Sequence, residues 1–334
     1  MSQPKRPDSV RLQNIVQSYW TSATLMSAVE LGLFTAVAKG ATNIEKVASA
    51  LDITPTNAER LVTVCIAMNL LEKDENGLNN APDVERFLVE GERYYAGPCM
   101  LFSKPRWGGW GNLTENLREK ETKRLGMYDE FTVEAARRYH TATYSIGVGA
   151  GRRFSRQVDL SERRKILDIG GGSGAYSIVA AQQHPHLQAV VFDLPPVVEV
   201  SKDFIAENGV SDRVSTQGGD FTSDPFPDDV DVAIMASNLP QYSQEIIQQV
   251  IQKAFDALLP GGEMHLIGEM LNDDKTGPLN AALWGLSEAL SGSTGRAHSE
   301  SECIGYFECA GFTNVAALPF IEGVLVRVTG SKPA

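Results

Sequence analysis

The sequence predicts an α/β protein: a doubly wound, mainly parallel sheet domain behind a smaller helical domain. Three observations carry this. Ile166-Leu167-Asp168-Ile169 runs into Gly170-Gly171-Gly172-Ser173-Gly174, and the helix-forming residues 175–181 follow, which reads as strand, tight turn, helix. Asp193 ends the next apolar run, Ala189-Val190-Val191-Phe192, nineteen residues after Gly174, where an acid suits hydrogen bonding to ribose hydroxyls. From residue 163 onward, apolar runs near 166–169, 189–192, 230–236, 264–268 and 323–328 alternate with helical patterns. That alternation is the signature of a Rossmann-like sheet.

In chain order, residues 1–7 are polar and carry no apolar signal core. Residues 10–40 read as helices with a broad apolar face that includes Val16, Tyr19, Trp20, Ala23 and Met26. A short helix follows at 43–51, and Thr54-Pro55 caps another whose Leu61, Val64, Cys65, Met68 and Leu71 fall at helical spacing. Asp74-Glu75-Asn76-Gly77 is a hairpin-type turn. Helix, turn, helix, hairpin is a winged-helix pattern, here expected as an all-helical domain over 1–100. Its second helix lacks the Lys and Arg run that would neutralise phosphates, so packing or dimerisation is the expected role. Residues 101–160 read as a helical linker carrying pocket helices, and 161–334 as the sheet domain.

The 334 residues carry a formal net charge of −12. That balance argues against nucleic acid or an anionic membrane as the main partner. Cys65, Cys99, Cys303 and Cys309 are scattered, with no CxxC pair, and no stretch is long and apolar enough to span a bilayer. A cytoplasmic protein with free thiols is expected. No histidine pair has metal-ligand spacing, and no metal is expected.

Gly170-x-Gly172-x-x-Ala175 also fits a dinucleotide fingerprint, so the glycines alone leave the nucleoside open. Asp168 before the turn, Asp193-Leu194-Pro195, and Gln217-Gly218-Gly219-Asp220-Phe221 shift the balance. Asp220 suits an adenine amino group, with Phe221 packing on the ring. Together with Leu259-Pro260-Gly261-Gly262 and Cys309-Ala310-Gly311-Phe312, these segments resemble class I S-adenosylmethionine-dependent methyltransferases of the caffeate/polyketide O-methyltransferase type. The resemblance covers nearly the whole chain and includes the N-terminal winged-helix dimerisation domain. It implies S-adenosylmethionine as cofactor and a homodimer formed through that domain. It also implies Gly170, Gly172 and Gly174 on the methionine part, Asp193 on the ribose, and Asp220 with Phe221 on the adenine. Asp168, Leu194 and Ser237 complete the implied cofactor set.

The resemblance puts the family's catalytic histidine at Pro240, in Ser237-Asn238-Leu239-Pro240-Gln241-Tyr242, and its two supporting acids near Gly285 and Ala297, a register good to about a residue, with Glu288 and Glu300 close by. The base and both supports are absent together, and such groups act as a set. A thioether sulfur needs no base, because it accepts a methyl group with a lone pair and releases no proton. Such an acceptor suits an aromatic lining that tolerates positive charge. Trp107, Trp110, Tyr139, Tyr144, Tyr242 and Trp284 are candidate walls, with Asn238 and His140 as polar contacts. The cationic clamp for an acid-bearing acceptor comes from Arg106, Lys104, Arg137, Arg138, Arg152 and Arg153. Tyr139, His140, Tyr144 and Gln241 are positioning candidates, and no catalytic residue is assigned. The chain resembles, within the family, the bacterial methylthiohydroxybutyrate S-methyltransferases of dimethylsulfoniopropionate synthesis. O-methylation with His140 or Tyr139 as base, and chemistry that keeps the cofactor without methyl transfer, are the alternatives.

Overall fold

A computed structural model describes residues 7–334; the polar segment at 1–6 lies outside the described residues. The chain divides into two compact units, Met1–Pro105 and Arg106–Ala334. The helices expected to link the domains belong, from Arg106 on, to the same unit as the sheet.

The first unit begins with α1 (Val10–Glu30), α2 (Leu33–Ala38), α3 (Ile44–Leu51) and α4 (Pro55–Ala67). Asn43 caps α3 through the amide of Lys46, and Thr54 caps α4 ahead of Pro55, so the local chemistry starts both helices where the sequence places them. Strands β1 (Leu71–Asp74) and β2 (Gly77–Asn80) form an antiparallel hairpin, followed by α5 (Pro82–Leu88) and α6 (Gly97–Leu101). The domain is thus not all-helical, since Asp74 Oδ1 accepts from the amides of Asn76 and Gly77 and closes the wing. Its core gathers Leu33, Phe34, Val47, Val62, Cys65 and Leu71. Along α1, Val10, Leu12, Ile15, Val16, Tyr19 and Trp20 are all more than half exposed, an apolar face of the kind that marks an interaction surface.

In the second unit, short helices α7 (Trp107–Gly111) and α8 (Leu113–Asn116) lead to the long α9 (Val133–Gln157), capped by Thr132. Then come β3 (Lys165–Ile169), α10 (Ala175–Gln183), β4 (Gln188–Asp193), α11 (Pro195–Glu207), β5 (Val214–Gly218) and β6 (Val230–Ala236). Helix α12 (Gln244–Ala257), β7 (Leu258–Gly268), the short β8 (Met270–Leu271) and α13 (Leu279–Ser287) follow. Last are β9 (His298–Ser299), α14 (Glu300–Ala310), β10 (Thr313–Ile321) and β11 (Leu325–Ser331).

The seven-stranded sheet has the order β10-β11-β7-β6-β3-β4-β5. Five strands are parallel, and β11 runs antiparallel between β7 and β10. Residues 166–169 of β3 and 230–235 of β6 are buried throughout, as expected for central strands covered on both faces. The order reverses at β3, with β4 on one side and β6 on the other. Ligands of such sheets bind at that switch point, beyond the carboxyl ends of the strands.

Candidate active site

The carboxyl end of β3 opens into the glycine turn. Gly170, Gly172 and Gly174 have φ of 62°, 58° and 75°, a region open to glycine at little cost. Space makes the same demand at Gly172, where a Cβ would lie 2.6 Å from His140 Cε1. Asp168 is buried beneath the turn and accepts from Ser177 Oγ at 2.7 Å, which ties the strand to α10. Burial pushes its carboxyl up to about 6. Asp168 therefore braces the turn.

Asp193 ends β4 and faces the same turn. Its Oδ2 accepts from the Gly172 amide at 2.8 Å and its Oδ1 from the Leu194 amide at 2.7 Å. Loss of solvation raises this carboxyl to about 6, while the two amides oppose the rise and the Asp168 charge adds to it. The arrangement fits S-adenosylmethionine: the turn leaves a cradle that side chains would fill, and Asp193 offers an acceptor-only group beside it. An ionised carboxylate at this place would accept from ribose hydroxyls, whereas its protonated form gives up acceptor capacity. Cofactor affinity is therefore expected to hold above pH 6 and to fall by about tenfold per unit below it, for one proton. Calorimetry with S-adenosylhomocysteine from pH 5 to 8 checks this; a flat profile would detach Asp193 from the ribose.

Phe221 and Asn238 complete the turn's surroundings. A Cβ at Gly170 would lie 2.5 Å from Asn238 Nδ2 and 3.0 Å from Phe221 Cε1. The Asn238 amide donates to the carbonyls of Ile169 and Gly170 at 3.3 and 3.2 Å, so it holds the turn in place and its donor is not left for an acceptor molecule. Ser237, at φ 62°, sits in the left-handed region that non-glycine residues rarely adopt. Asp220 is already engaged: Oδ1 accepts from the amide and hydroxyl of Thr222, and Oδ2 pairs with Arg124. Arg124 went unnoticed in the sequence because it lies 96 residues away in an irregular segment.

The acceptor side is a polar, aromatic cluster. Gln241 Nε2 donates to the Tyr128 hydroxyl at 3.2 Å, and Tyr128 hydrogen-bonds Tyr139. Burial pushes both phenols upward. Tyr242 is buried and packs edge-on against Phe221 at 5.1 Å. Arg106 donates to the Ser287 carbonyl at 3.0 Å and its charge reaches Tyr139 and Glu288. Glu288, one of the two acids that stand close to the expected supporting positions in the sequence, is buried in the turn after α13. Burial raises its carboxyl; Ser293, Arg106 and Ser291 pull it down. The ring of His140 lies over Gly172, and burial lowers its pKa to about 4, so the imidazole is neutral at ordinary pH.

Several expected site residues lie elsewhere. Tyr144 accepts from Asn208 Nδ2 at 2.7 Å and stacks on Phe204. Asn208 follows the far end of the 13-residue α11, roughly 20 Å from the Asp193 end at the usual helical rise, so Tyr144 serves helix packing. Arg137 pairs with Asp203, Arg138 with Glu134, and Lys104 with Glu30, all on exposed surface, whereas the charge of Arg106 reaches Tyr139. Trp110 is 36 % exposed on α7. Trp107 and Trp284 are half-buried. His298 is held by Tyr306 Oη at Nδ1 and by the Tyr242 carbonyl at Nε2, a structural tie. Among the described residues, no group of three or more His, Cys, Asp or Glu is placed to hold a metal ion, and no helix is long and apolar enough to cross a membrane.

Two of the three positions where the resemblance puts the base and its supports, 285 and 297, pack against each other. Pro240 is buried in a 3-10 turn. A Cβ at Gly285 would lie 2.4 Å from the Ala297 nitrogen, and one at Gly295 would lie 2.3 Å from the Pro240 carbonyl oxygen. The three segments named by sequence alignment do meet, backbone against backbone, and an acidic side chain at 285 has no room.

Comparison with known proteins agrees with the fold. Residues 13–90 match the O-methyltransferase dimerisation domain family, and 127–313 match the O-methyltransferase domain family. The 3-hydroxy-5-methyl-1-naphthoate 3-O-methyltransferase of Streptomyces sahachiroi is 32% identical over 315 residues, 92% of this chain and 91% of that protein. The tetracenomycin polyketide synthesis 8-O-methyl transferase of Streptomyces glaucescens is 29% identical, covering 96% and 95%. The crystal structure of human N-acetylserotonin methyltransferase in complex with SAM shares the fold at a TM-score of 0.84 and 22% identity, covering 99% of this chain and all of that one. With both domain families matched in order and a relative aligned over nearly its full length, the chain belongs to the O-methyltransferase family and is an S-adenosylmethionine-dependent methyltransferase.

Proposed function

We propose that this enzyme methylates a small molecule whose nucleophile needs no deprotonation, a thioether sulfur such as that of 4-methylthio-2-hydroxybutyrate in dimethylsulfoniopropionate synthesis. Pro240, and the close packing of Gly285 against Ala297, carry the reading, because they leave neither histidine nor orienting acid where the resemblance puts them. S-adenosylmethionine supplies an electrophilic methyl group, which a thioether accepts with a lone pair. Tyr139 and Tyr242 present ring faces and hydroxyls that favour developing positive charge, and Arg106 offers a guanidinium to a carboxylate. Asp193, Asp220, Phe221 and the glycine turn hold the cofactor, so that positioning provides most of the acceleration. The apolar face of α1 supports self-association through the first unit.

The named acceptors of the relatives favour a second reading, O-methylation of a hydroxylated metabolite with Tyr139 or His140 taking the proton. Mass spectrometry of products from a panel of thioethers, phenols and hydroxy acids separates the two. Sulfonium formation with a rate that does not follow any hydroxyl pKa is the expected result. A methyl ether, with a rate that falls on the acid side, would replace it by the second reading.

A further inference from the structure

One cavity of the sheet unit lies away from the glycine turn. It measures about 390 Å³ and is walled by the end of α9, the loop before β3, and strands β7 and β11. None of the residues assigned to cofactor or acceptor lines it. Alternation along the paired strands puts Glu263 and His265 of β7 and Arg327 of β11 on one face of the sheet. Arg163 stands just ahead of β3, so the cavity opens near the amino end of that strand, opposite the turn at its carboxyl end. Arg327 is 7 % exposed. Its Nη1 donates to His265 Nδ1 at 3.4 Å, and its Nε is buried with no partner. A guanidinium only donates, so Nδ1 accepts and the ring proton of His265 rests on Nε2. That nitrogen is also buried without a hydrogen bond, 3.6 Å from Glu263 Oε1. Glu263 pairs instead with Arg163 Nη2 at 3.3 Å and acts on the Arg327 charge from further off. The wall thus presents two buried donors and no acceptor within reach of either, which costs free energy until an acceptor meets them.

We propose that this cavity is a binding site for the carboxylate of a small organic acid, held by Arg327 and His265 and separate from the methyl-transfer site. A carboxylate is acceptor-only and planar, and it meets a guanidinium edge with paired hydrogen bonds. A buried cation without an ion-pair partner gains most from such a group, because little solvent screens the pair. The remaining acids of the lining, Asp159 and Glu162, are exposed, where water and salt weaken their repulsion. They oppose a dianion such as sulfate more than a singly charged carboxylate. The site stands whichever atom receives the methyl group.

The test uses the full chain saturated with S-adenosylhomocysteine, with sodium propionate as probe and sodium chloride holding the ionic strength constant. The chain has five histidines, so the imidazole signals of histidine-labelled protein can be followed one by one by nuclear magnetic resonance. Propionate is expected to shift the His265 signal, assigned from His265→Gln, with a Kd of about 1 mM or tighter, and to leave His140 in place. Arg327→Gln is expected to weaken propionate binding by about tenfold or more. Arg327→Lys keeps the charge but loses the planar edge, and weakens it by a few-fold. Unchanged affinity for S-adenosylhomocysteine shows that a variant is folded, and the lysine variant serves if the glutamine one is not. A still His265 signal, or sulfate binding as tightly as propionate, overturns the site. A shift confined to His140 also overturns it, since the carboxylate would then sit beside the cofactor turn. So does propionate affinity that neither Arg327 variant changes.

Discussion

Gly285→Asp is expected to destabilise the sheet unit by about 3 kcal/mol or more, and so to lower its melting temperature by roughly 6–12 °C. The new Cβ would lie 2.4 Å from the Ala297 nitrogen and 2.7 Å from its Cβ, so the backbone of one segment must move. Thermal unfolding followed by circular dichroism, with and without S-adenosylhomocysteine, measures this. A variant that melts with the wild type would show that the 285–297 contact opens easily. The missing acid would then be a matter of residue identity alone, and the case for base-free chemistry would lose its physical footing.

Asp193→Asn is expected to weaken cofactor binding by about 10²-fold. Hydrogen bonds to a charged group contribute roughly 1.5–3 kcal/mol each. The amide also has one acceptor oxygen where the carboxylate has two, and both carboxylate oxygens already serve the Gly172 and Leu194 amides. The substitution therefore removes charge at the ribose side and loosens the turn that cradles the methionine part. Calorimetry with S-adenosylhomocysteine reads the loss, and the variant should also lose the pH dependence expected below 6. Affinity within a factor of two of the wild type would move the ribose contact to another residue.

Much of the fold was legible because parallel central strands must be apolar on both faces. Residues 166–169, 189–192 and 230–236 became β3, β4 and β6, with the glycine turn where the spacing put it. Strand β10 was not anticipated. It pairs only with β11, has register shifts on either side of residues 316–319, and alternates weakly, so it lacks the continuous apolar run of a central strand. Tyr144 misled for a related reason. An aromatic five residues past Tyr139 on one helix looks like a neighbour in the same wall, but the helix carries it on to Asn208 and Phe204.

By itself the sequence determined the class of sheet, the place of the nucleoside site and the absence of a histidine at 240, because glycine, proline and acidic residues constrain the backbone and charge wherever they stand. Tertiary structure alone decided which side chains gather around Tyr139. Tyr128, Arg106, Gln241 and Glu288 come from separate segments, and their meeting depends on how α9, α13 and the turn after β6 pack around the sheet. It also decided that the backbone at 297 packs over 285, since only such close contact distinguishes a vacancy from a closed space.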